Sequence, residues 1–235
     1  MERDIGARPP ETVSIDPEKP LYDACRKMLA SRARRIPLIS NDSETGRTMV
    51  TSVITQYRIL KFVAVNVGDT QNLRKPLKQI KLGTYNHWVK CSMDAIVLDV
   101  IHWMVKHNIS SVPIVTAEGE KIGVPCRKNF TLTLVGMLLN VFEAVDVIML
   151  IKGGDYDSLQ LTVGEALRKR PDDYPGIYTC SPEDGLDTIF ETIRKSRVHR
   201  LMVIDNDNCL QGILSLSDIL QYILLEGEHE DVANL

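Results

Sequence analysis

Three stretches of the sequence decide the fold: Thr55-Gln-Tyr-Arg58-Ile-Leu-Lys-Phe, Phe142-Glu-Ala-Val-Asp146-Val-Ile-Met-Leu and Ser215-Leu-Ser-Asp218-Ile-Leu-Gln-Tyr. Each follows an apolar run, and in each the charged residue (Arg58, Asp146 or Asp218) immediately precedes an aliphatic pair. A strand-to-helix junction that recurs with one variable charged residue is typical of a repeated ligand cleft. The pattern therefore predicts a repeat protein with a binding function.

Apolar anchor residues recur around these junctions with a separation of 16 residues in every repeat. The apolar positions between the anchors follow the period of an amphipathic helix. A short apolar strand, a polar turn and a second strand follow, and further strands fit upstream at 12–15, 88–91 and 176–180. Each unit is therefore predicted to be β-α-β-β-α, which gives an α+β fold. The anchor pairs are Leu21 and Pro37, Val97 and Pro113, and Leu186 and Met202.

The helices are predicted to start at proline-containing turns, because a cap residue, a proline and an early carboxylate favour a helix N-terminus. These turns are Asp16-Pro17-Glu18 and Ser181-Pro182-Glu183. The second unit also has excess length between Pro113 and Asp146, which predicts an insertion at 120–136 on a hairpin tip. A tolerated surface loop and an artefact of gene structure, such as a retained intron, both explain this insertion.

The composition is that of an ordinary globular protein, with 44% hydrophobic and 25% charged residues and a net charge of -3. We therefore expect no nucleic-acid partner. The start of the sequence lacks a signal-peptide pattern, and the apolar runs are shorter than the ~20 residues of a membrane span. The 5 cysteines are scattered, so we expect no metal site and a reducing compartment, the cytoplasm or the nucleus.

The sequence gives little support for an enzyme. It contains no Gly-x-x-x-x-Gly-Lys-Ser/Thr loop, no His-Glu-x-x-His and no Gly-x-Ser-x-Gly motif. The three units also occupy nearly the whole chain and leave no room for a catalytic barrel of ~250 residues. We therefore predict a non-catalytic protein without catalytic residues.

The units resemble cystathionine β-synthase (CBS) domains, which pair into Bateman-type discs and bind adenosine-containing ligands in their clefts. The likeness is greater to the gamma subunits of AMP-activated protein kinase, particularly those of the fungal sucrose-non-fermenting kinase complex. It runs from about Val13 to Leu225 apart from the insertion. The motifs that carry it are Val53–Val63, Leu150–Tyr156, Val163–Leu167, Arg197–Arg200 and Leu216–Leu225.

This resemblance implies a regulatory subunit that senses AMP, ADP or ATP and assembles with a catalytic alpha subunit and a beta subunit. A CBS-domain scaffold, or a module for another adenosyl ligand such as S-adenosylmethionine, is the alternative. Family members carry four repeats, and the three here resemble the second, third and fourth. We place them at 11–66, 74–152 and 159–226, followed by an acidic tail at 227–235. The first repeat would then lack its disc partner, which favours oligomerisation.

The resemblance also implies the roles of the candidate site residues. The junction aspartates would accept hydrogen bonds from ribose hydroxyls, whereas guanidinium has donors only, so Arg58 would mark a cleft without nucleotide. Small hydroxyl residues would line the pockets, and cations would contact phosphate. Asn108 stands where relatives often have arginine. Without the resemblance, helix caps and solvated charges explain the same residues. The candidates are Asp218 and Asp146 for ribose; His199, Arg200, Arg170, Arg34 and Arg35 for phosphate; and Thr84, Ser110, Ser215 and Ser217 for the pocket walls.

Overall fold

A computed structural model describes residues 13–42, 44–66, 71–86, 88–116, 136–152 and 154–233. The observed mixture of helices and antiparallel hairpins confirms the predicted α+β class. The elements in chain order are α1 (Leu21–Ser31), β1 (Arg35–Asn41), β2 (Thr48–Thr55), α2 (Gln56–Asn66), α3 (Leu77–Ile80), α4 (Val97–His107), β3 (Ser111–Val115), β4 (Leu138–Glu143), α5 (Ala144–Ile151), α6 (Val163–Arg168), β5 (Thr179–Cys180), α7 (Leu186–Lys195), β6 (Arg200–Ile204), β7 (Leu210–Ser215) and α8 (Leu216–Ala233).

The same parallel pairing occurs in all three repeats. A residue upstream of the first helix pairs with a residue 23 positions later in the strand that follows that helix. The upstream strands are shorter than predicted, because in two repeats the pairing is a single bridge and in the third it covers two residues. The pairs are Ile15 with Leu38, Cys91 with Ile114, Thr179 with Met202, and Cys180 with Val203.

The hairpins of the first and second repeats differ strongly in burial. β1 and β2 pair antiparallel, with Arg35 opposite Thr55, and β3 and β4 pair in the same way, with Ser111 opposite Glu143. Every residue of β3 is buried, whereas most of β2 is exposed. The apolar side chains Val50 and Phe62 in the first repeat are 63% and 59% exposed. Exposed apolar surface of this kind agrees with the expected oligomerisation, which stays a prediction.

The described residues form two compact units. The first lies within Met1–Leu73, Asp187–His199 and Ser215–Leu235, and the second within Arg74–Leu186 and Arg200–Leu214. The strands of the third repeat thus belong to the second unit, apart from the last residue of β7, while most of α7 and all of α8 belong to the first. The repeat boundaries given above stay predictions.

Helix α8 continues without interruption to Ala233, so it includes most of the predicted acidic tail.

The core of the first unit forms where α1 and α2 pack against α8. Met28, Ile36 and Leu60 are fully buried there. Helix α7 is linked to α2 because the Arg194 Nε donates to the Ala64 carbonyl at 3.1 Å. Burial of such side chains supplies about 1.5–3 kcal/mol each relative to exposure.

The second unit has a core around β3 and β4. Fully buried Val97, Val112, Ile114 and Phe142 pack with Val163 in one cluster. A smaller cluster joins Val115 and Val141 to Met202, Cys209 and Leu210 of the third repeat. Strand β4, which leads directly into α5, therefore packs into both buried clusters through Phe142 and Val141.

Two glycines permit a close backbone approach within the second unit. The Thr84 N–H donates to the Ile213 carbonyl at 2.8 Å, and the Ile213 N–H donates to the Thr84 carbonyl at 2.9 Å. A Cβ on Gly212 would lie 2.8 Å from the Thr84 oxygen, and one on Gly83 would lie 3.0 Å from the Ile213 oxygen. Gly83 also has a φ of +111°, which side chains rarely permit. Both positions therefore require glycine.

The predicted helix starts at the proline turns are wrong. Helices α1 and α7 begin at Leu21 and Leu186, several residues after those turns. The capping groups close local turns instead, since Asp16 Oδ1 accepts the Glu18 N–H at 2.9 Å and Ser181 Oγ accepts the Glu183 N–H at 3.2 Å. Aspartate and serine favour such turns as readily as helix caps, so the residues alone could not separate the two.

The predicted insertion at 120–136 lies outside the described residues except for Gly136. The residues that flank the undescribed stretch meet, because the Thr116 N–H donates to the Met137 carbonyl at 3.0 Å. The Thr116 hydroxyl oxygen in turn accepts the Met137 N–H at 3.0 Å. The residues on either side of this stretch therefore meet at one point of the β3–β4 hairpin, and the insertion itself stays a prediction.

Candidate ligand-binding site

The three charged junction residues occupy the same place in their helices. Arg58, Asp146 and Asp218 are each the third residue of the helix that follows a strand, in α2, α5 and α8. Backbone N–H groups point outward from this first turn, and the helix dipole favours negative charge there. The repeated position is thus suited to an acidic side chain or to an anionic ligand.

Asp146 is buried and held in an ion pair. Its side chain is 3% exposed, and Oδ2 accepts the backbone N–H of Glu143 at 2.7 Å. The Arg170 guanidinium binds both carboxylate oxygens, with Nε to Oδ1 at 2.7 Å and Nη2 to Oδ2 at 2.7 Å. Paired donors of this kind match carboxylate geometry and form the stronger class of hydrogen bond.

Arg170 has further partners around the same carboxylate. Nη1 donates to Asn140 Oδ1 at 3.0 Å, and Nη2 donates to the Val141 carbonyl at 2.6 Å. The guanidinium carbon lies 4.1 Å from the ring centre of Tyr174, a cation–π distance. Burial lowers the pKa of Arg170, but the hydrogen bond and charge of Asp146, together with the charges of Tyr174 and Glu143, raise the pKa overall. Burial, with the charges of Asp146 and Glu143, raises the pKa of Tyr174 to about 12.

A second arginine, Arg200, joins the same cluster in the second unit. Its Nη2 donates to the Ser110 hydroxyl at 2.8 Å, Nη1 donates to the Ser111 hydroxyl, and Nε lies 3.3 Å from Glu143 Oε1. The Tyr174 hydroxyl donates to the other oxygen of Glu143 at 3.1 Å. The structure therefore brings four predicted site residues together: Asp146, Arg170, Ser110 and Arg200.

Asp218 has a different environment in the first unit. Its Oδ2 accepts the Ser215 N–H at 2.8 Å and the Ser215 hydroxyl at 2.7 Å, while the Ser215 oxygen accepts the Asp218 N–H at 3.3 Å. No described residue donates a hydrogen bond to Oδ1 or forms an ion pair with this carboxylate. Ser217 lies close by and donates to Oε1 of the buried Gln56 at 3.2 Å. Half of this carboxylate thus remains available to a ligand.

The candidate cations of the first repeat lie at the surface. Arg58, Arg34 and Arg35 are exposed. The Arg58 Nη1 donates to the Val53 carbonyl at 3.1 Å, and its N–H donates to the Thr55 hydroxyl at 3.2 Å. Arg58 borders a cavity of about 340 Å³ whose other walls are mostly apolar, among them Leu21, Ile59 and Phe62. This lining suits an apolar occupant better than a ribose.

The remaining residues singled out by the resemblance have contacts of their own. Thr84 is exposed and bridges to β7 through its backbone. His199 is exposed, its ring stands edge-on to Tyr57 at 6.4 Å, and its carbonyl accepts the Leu216 N–H at 3.4 Å. Asn108 ends α4 in a left-handed conformation, with φ 51°. Asparagine tolerates this conformation better than most residues, which explains its position without a ligand.

Sequence reasoning missed several polar residues of the cluster, namely Ser111, Asn140, Glu143 and Tyr174. Glu143 had a signal, because it immediately precedes α5 and its backbone binds the junction aspartate. Ser111 follows the predicted Ser110 directly. Nothing local distinguished Asn140, because its role depends on Arg170, which is 30 residues away in the chain. Tyr174 follows Arg170 closely, but no motif marks it.

Within the described ranges, no group of three or more histidine, cysteine, aspartate or glutamate side chains could hold a metal ion. The same residues include no helix that is long and apolar enough to cross a membrane. Cys25, Cys91 and Cys180 are free and buried. Burial raises the pKa of Cys91 and of Cys180 to about 12, so these thiols are unsuited to nucleophilic chemistry.

Comparison with known protein families identifies the repeat type. Residues 3–65 and 172–225 match the model of the CBS domain. A protein from Methanocaldococcus jannaschii, proposed to be an archaeal homologue of g-AMPK, shares the fold with a TM-score of 0.66 over 91% of this chain and 67% of that one. The sequences are only 15% identical, so this likeness concerns the fold alone.

Two yeast relatives confirm the resemblance seen in the motifs. The 5'-AMP-activated protein kinase subunit gamma of Kluyveromyces lactis is 49% identical over 95% of this chain. The subunit of the same name from Saccharomyces cerevisiae is 48% identical over 96% of the chain. The chain spans 63% and 65% of the lengths of these two relatives.

Proposed function

We propose that this chain is a CBS domain protein that serves as a non-catalytic regulatory subunit of a heterotrimeric protein kinase. It would bind AMP, ADP or ATP and assemble with a catalytic alpha subunit and a beta subunit. Identity of 49% over 95% of the chain to a yeast gamma subunit supports the proposal. The cytoplasm and the nucleus are the compartments in which such a subunit would act.

The observation that carries nucleotide binding is the geometry of Asp218. A carboxylate can accept hydrogen bonds from two adjacent ribose hydroxyls, and Oδ1 receives none from the described residues. Bonds to a charged group contribute about 1.5–3 kcal/mol each. The capping bonds from Ser215 fix the carboxylate in place, so little side-chain freedom is lost when a ligand binds.

Regulation would follow from differential affinity. A nucleotide shifts the equilibrium between two states of a kinase complex only if it binds one state more tightly. AMP and ATP differ in phosphate charge, so the arginines of the Asp146 cluster are suited to distinguish them. We propose that the exchange of one nucleotide for another at these sites alters the complex.

Calorimetric titration of AMP into the purified chain tests nucleotide binding. We expect Asp218→Ala to weaken binding at its site at least tenfold, which corresponds to about 1.4 kcal/mol. Asp187→Ala is a matched control, since Asp187 also lies in the first turn of a helix in the same unit, and it should leave the affinity unchanged. A folded wild-type chain that gives no heat with AMP, ADP or ATP would refute the proposal.

A scaffold that holds its partner subunits without a nucleotide is a second candidate. The bidentate ion pair of Asp146 with Arg170 favours it, because the pair occupies a predicted ligand acceptor. Co-purification with alpha and beta subunits separates the two functions. A scaffold would assemble normally as an Asp146→Ala, Asp218→Ala double variant and carry no nucleotide, whereas an energy sensor would assemble but lose its response to AMP.

A further inference from the structure

Strand β2 of the first repeat and strand β4 of the second repeat have the same register to their partner strands. Val53 and Val141 each stand opposite a proline of the partner strand, five residues before the junction residue. Val50 and Leu138 each lie eight residues before it, on the far side of an irregularity in the pairing that both hairpins share. Val53 therefore corresponds to Val141, and Val50 to Leu138, in the structure as well as in the sequence.

The equivalent residues of the second and third repeats bury one another. Val141, which is 4% exposed, and Leu210 of β7 belong to one buried cluster. Leu138 and Ile213 pack against that cluster. Ile213 and Leu210 lie five and eight residues before Asp218, so they occupy the same two positions in the third repeat. The second unit therefore shows what covers this face, namely the same face of another repeat.

In the first repeat the same face is exposed. Val53 is 41% exposed and Val50 is 63% exposed. Val53 also borders the cavity of about 340 Å³ whose apolar walls include Leu38 and Phe62. Among the described walls of this cavity only Arg58 is charged, so the face brings one cation rather than a field of like charges. A contiguous exposed apolar surface of this kind marks a site of protein association.

We propose that this face of the first repeat binds the same face of a second copy of the chain across a two-fold axis. An isologous interface needs a surface that complements itself. The contact between the second and third repeats is its counterpart within one chain, because equivalent residues of both repeats meet there. In the dimer, Val53 and Val50 of both copies would form the matching cluster and leave water, which favours association.

Sedimentation equilibrium of the purified chain without nucleotide tests the inference, which does not depend on the proposed function. We expect a monomer–dimer equilibrium. Its dissociation constant should rise at least tenfold in Val53→Glu and in Val50→Glu, because a carboxylate would be desolvated in an apolar interface. Val105→Glu is the matched control, since Val105 is 75% exposed in the second unit, and it should leave the constant unchanged.

Urea unfolding of the same variants checks that each chain is folded. The three valines are exposed, so all three variants should unfold at the same urea concentration as the wild type. A wild-type chain that stays monomeric up to its solubility limit would overturn the inference. A dimer that tolerates both Val53→Glu and Val50→Glu would overturn it as well, because the copies would then meet through another face.

Mixed charge variants identify the occupant of the face. Val53→Lys and Val53→Glu chains should each be monomeric alone and form a dimer when mixed, because opposite charges then meet across the axis. A mixture that stays monomeric would contradict the two-fold arrangement. A wild-type chain that is monomeric alone but binds a different polypeptide through Val53 would assign the face to that partner and overturn the inference.

Discussion

Asp146 and Asp218 share one local structure but differ in their surroundings. Each is the third residue of a helix after a strand, and each accepts the backbone N–H three residues earlier, at 2.7 and 2.8 Å. Asp146 is 3% exposed and bound on both oxygens by Arg170, whereas the described residues leave Oδ1 of Asp218 without a donor. A repeated sequence position thus produces one closed and one open acceptor.

The difference shows that the repeat determines the position of the junction carboxylate. It does not determine whether that carboxylate can accept a hydrogen bond from a ligand. Capping depends on residues within one turn, which the repeat preserves. Availability depends on Arg170, which lies 24 residues after Asp146 and in no repeated motif. Arg58, at the same helix position, carries the opposite charge and borders an apolar cavity. Three equivalent junctions therefore have three different chemistries.

The largest expected contrast is in stability. Asp146→Ala leaves Arg170 buried without its counter-ion and should cost about 3–5 kcal/mol of unfolding free energy. Asp218→Ala loses a partly exposed carboxylate and its capping bonds from Ser215, worth about 0.5–2 kcal/mol. Urea denaturation of both variants measures the two costs. An Asp146→Ala, Arg170→Met double variant should recover part of the loss. Equal costs for the two alanine variants would show that the ion pair does not distinguish the junctions.

A second contrast concerns β7, the strand that leads directly into Asp218. Gly212→Ala places a Cβ 2.8 Å from the Thr84 oxygen and from the Tyr85 ring, and such overpacking should cost about 1–3 kcal/mol. Gly176→Ala is the control, since a Cβ there would have no neighbour within 4 Å. Thermal and urea unfolding measure both variants. If Gly212→Ala is as stable as Gly176→Ala, the result would contradict the close contact between Thr84 and β7.

The smallest expected effect is at Arg58. A positive charge in the first turn opposes the helix dipole, so Arg58→Asp should stabilise the chain by about 0.3–1 kcal/mol. Arg58→Gln removes the charge without adding a carboxylate and should give an intermediate value. Urea unfolding at low and high salt measures the change, which salt should reduce. A loss of stability with aspartate would indicate that the first junction differs from the others in more than its side chain.

Sequence patterns predicted the repeated elements well because those elements depend on local periodicity. The helices between anchors and the hairpins all occur, and each junction residue falls at the same helix position. The upstream strands are shorter than predicted, because their length depends on parallel partners 23 residues away. The proline turns precede the helices rather than capping them. Segments such as the proline turns, whose residues suit either a helix cap or a local turn, were therefore predicted less well than the periodic helices and strands.

The candidate site could be predicted only in part. Asp146, Arg170, Ser110 and Arg200 were identified by resemblance, and the structure brings them together. Their pairing was not foreseeable, because the resemblance assigned Arg170 to phosphate and its other partners, such as Asn140 and Val141, lie 30 and 29 residues earlier in the sequence. A contact made across 24 residues leaves no periodic signal. Ion-pair geometry of this kind depends on tertiary packing.

The number of AMP molecules bound per chain tests the central claim most directly. Equilibrium dialysis with the purified chain counts the bound molecules without assigning the heat of binding to individual sites. We predict two for the wild type, one for Asp146→Asn, one for Asp218→Asn and none for the double variant. The Asp187→Asn control should still bind two. Two molecules bound by a folded double variant, or none bound by the wild type, would contradict the assignment of Asp146 and Asp218 as nucleotide acceptors.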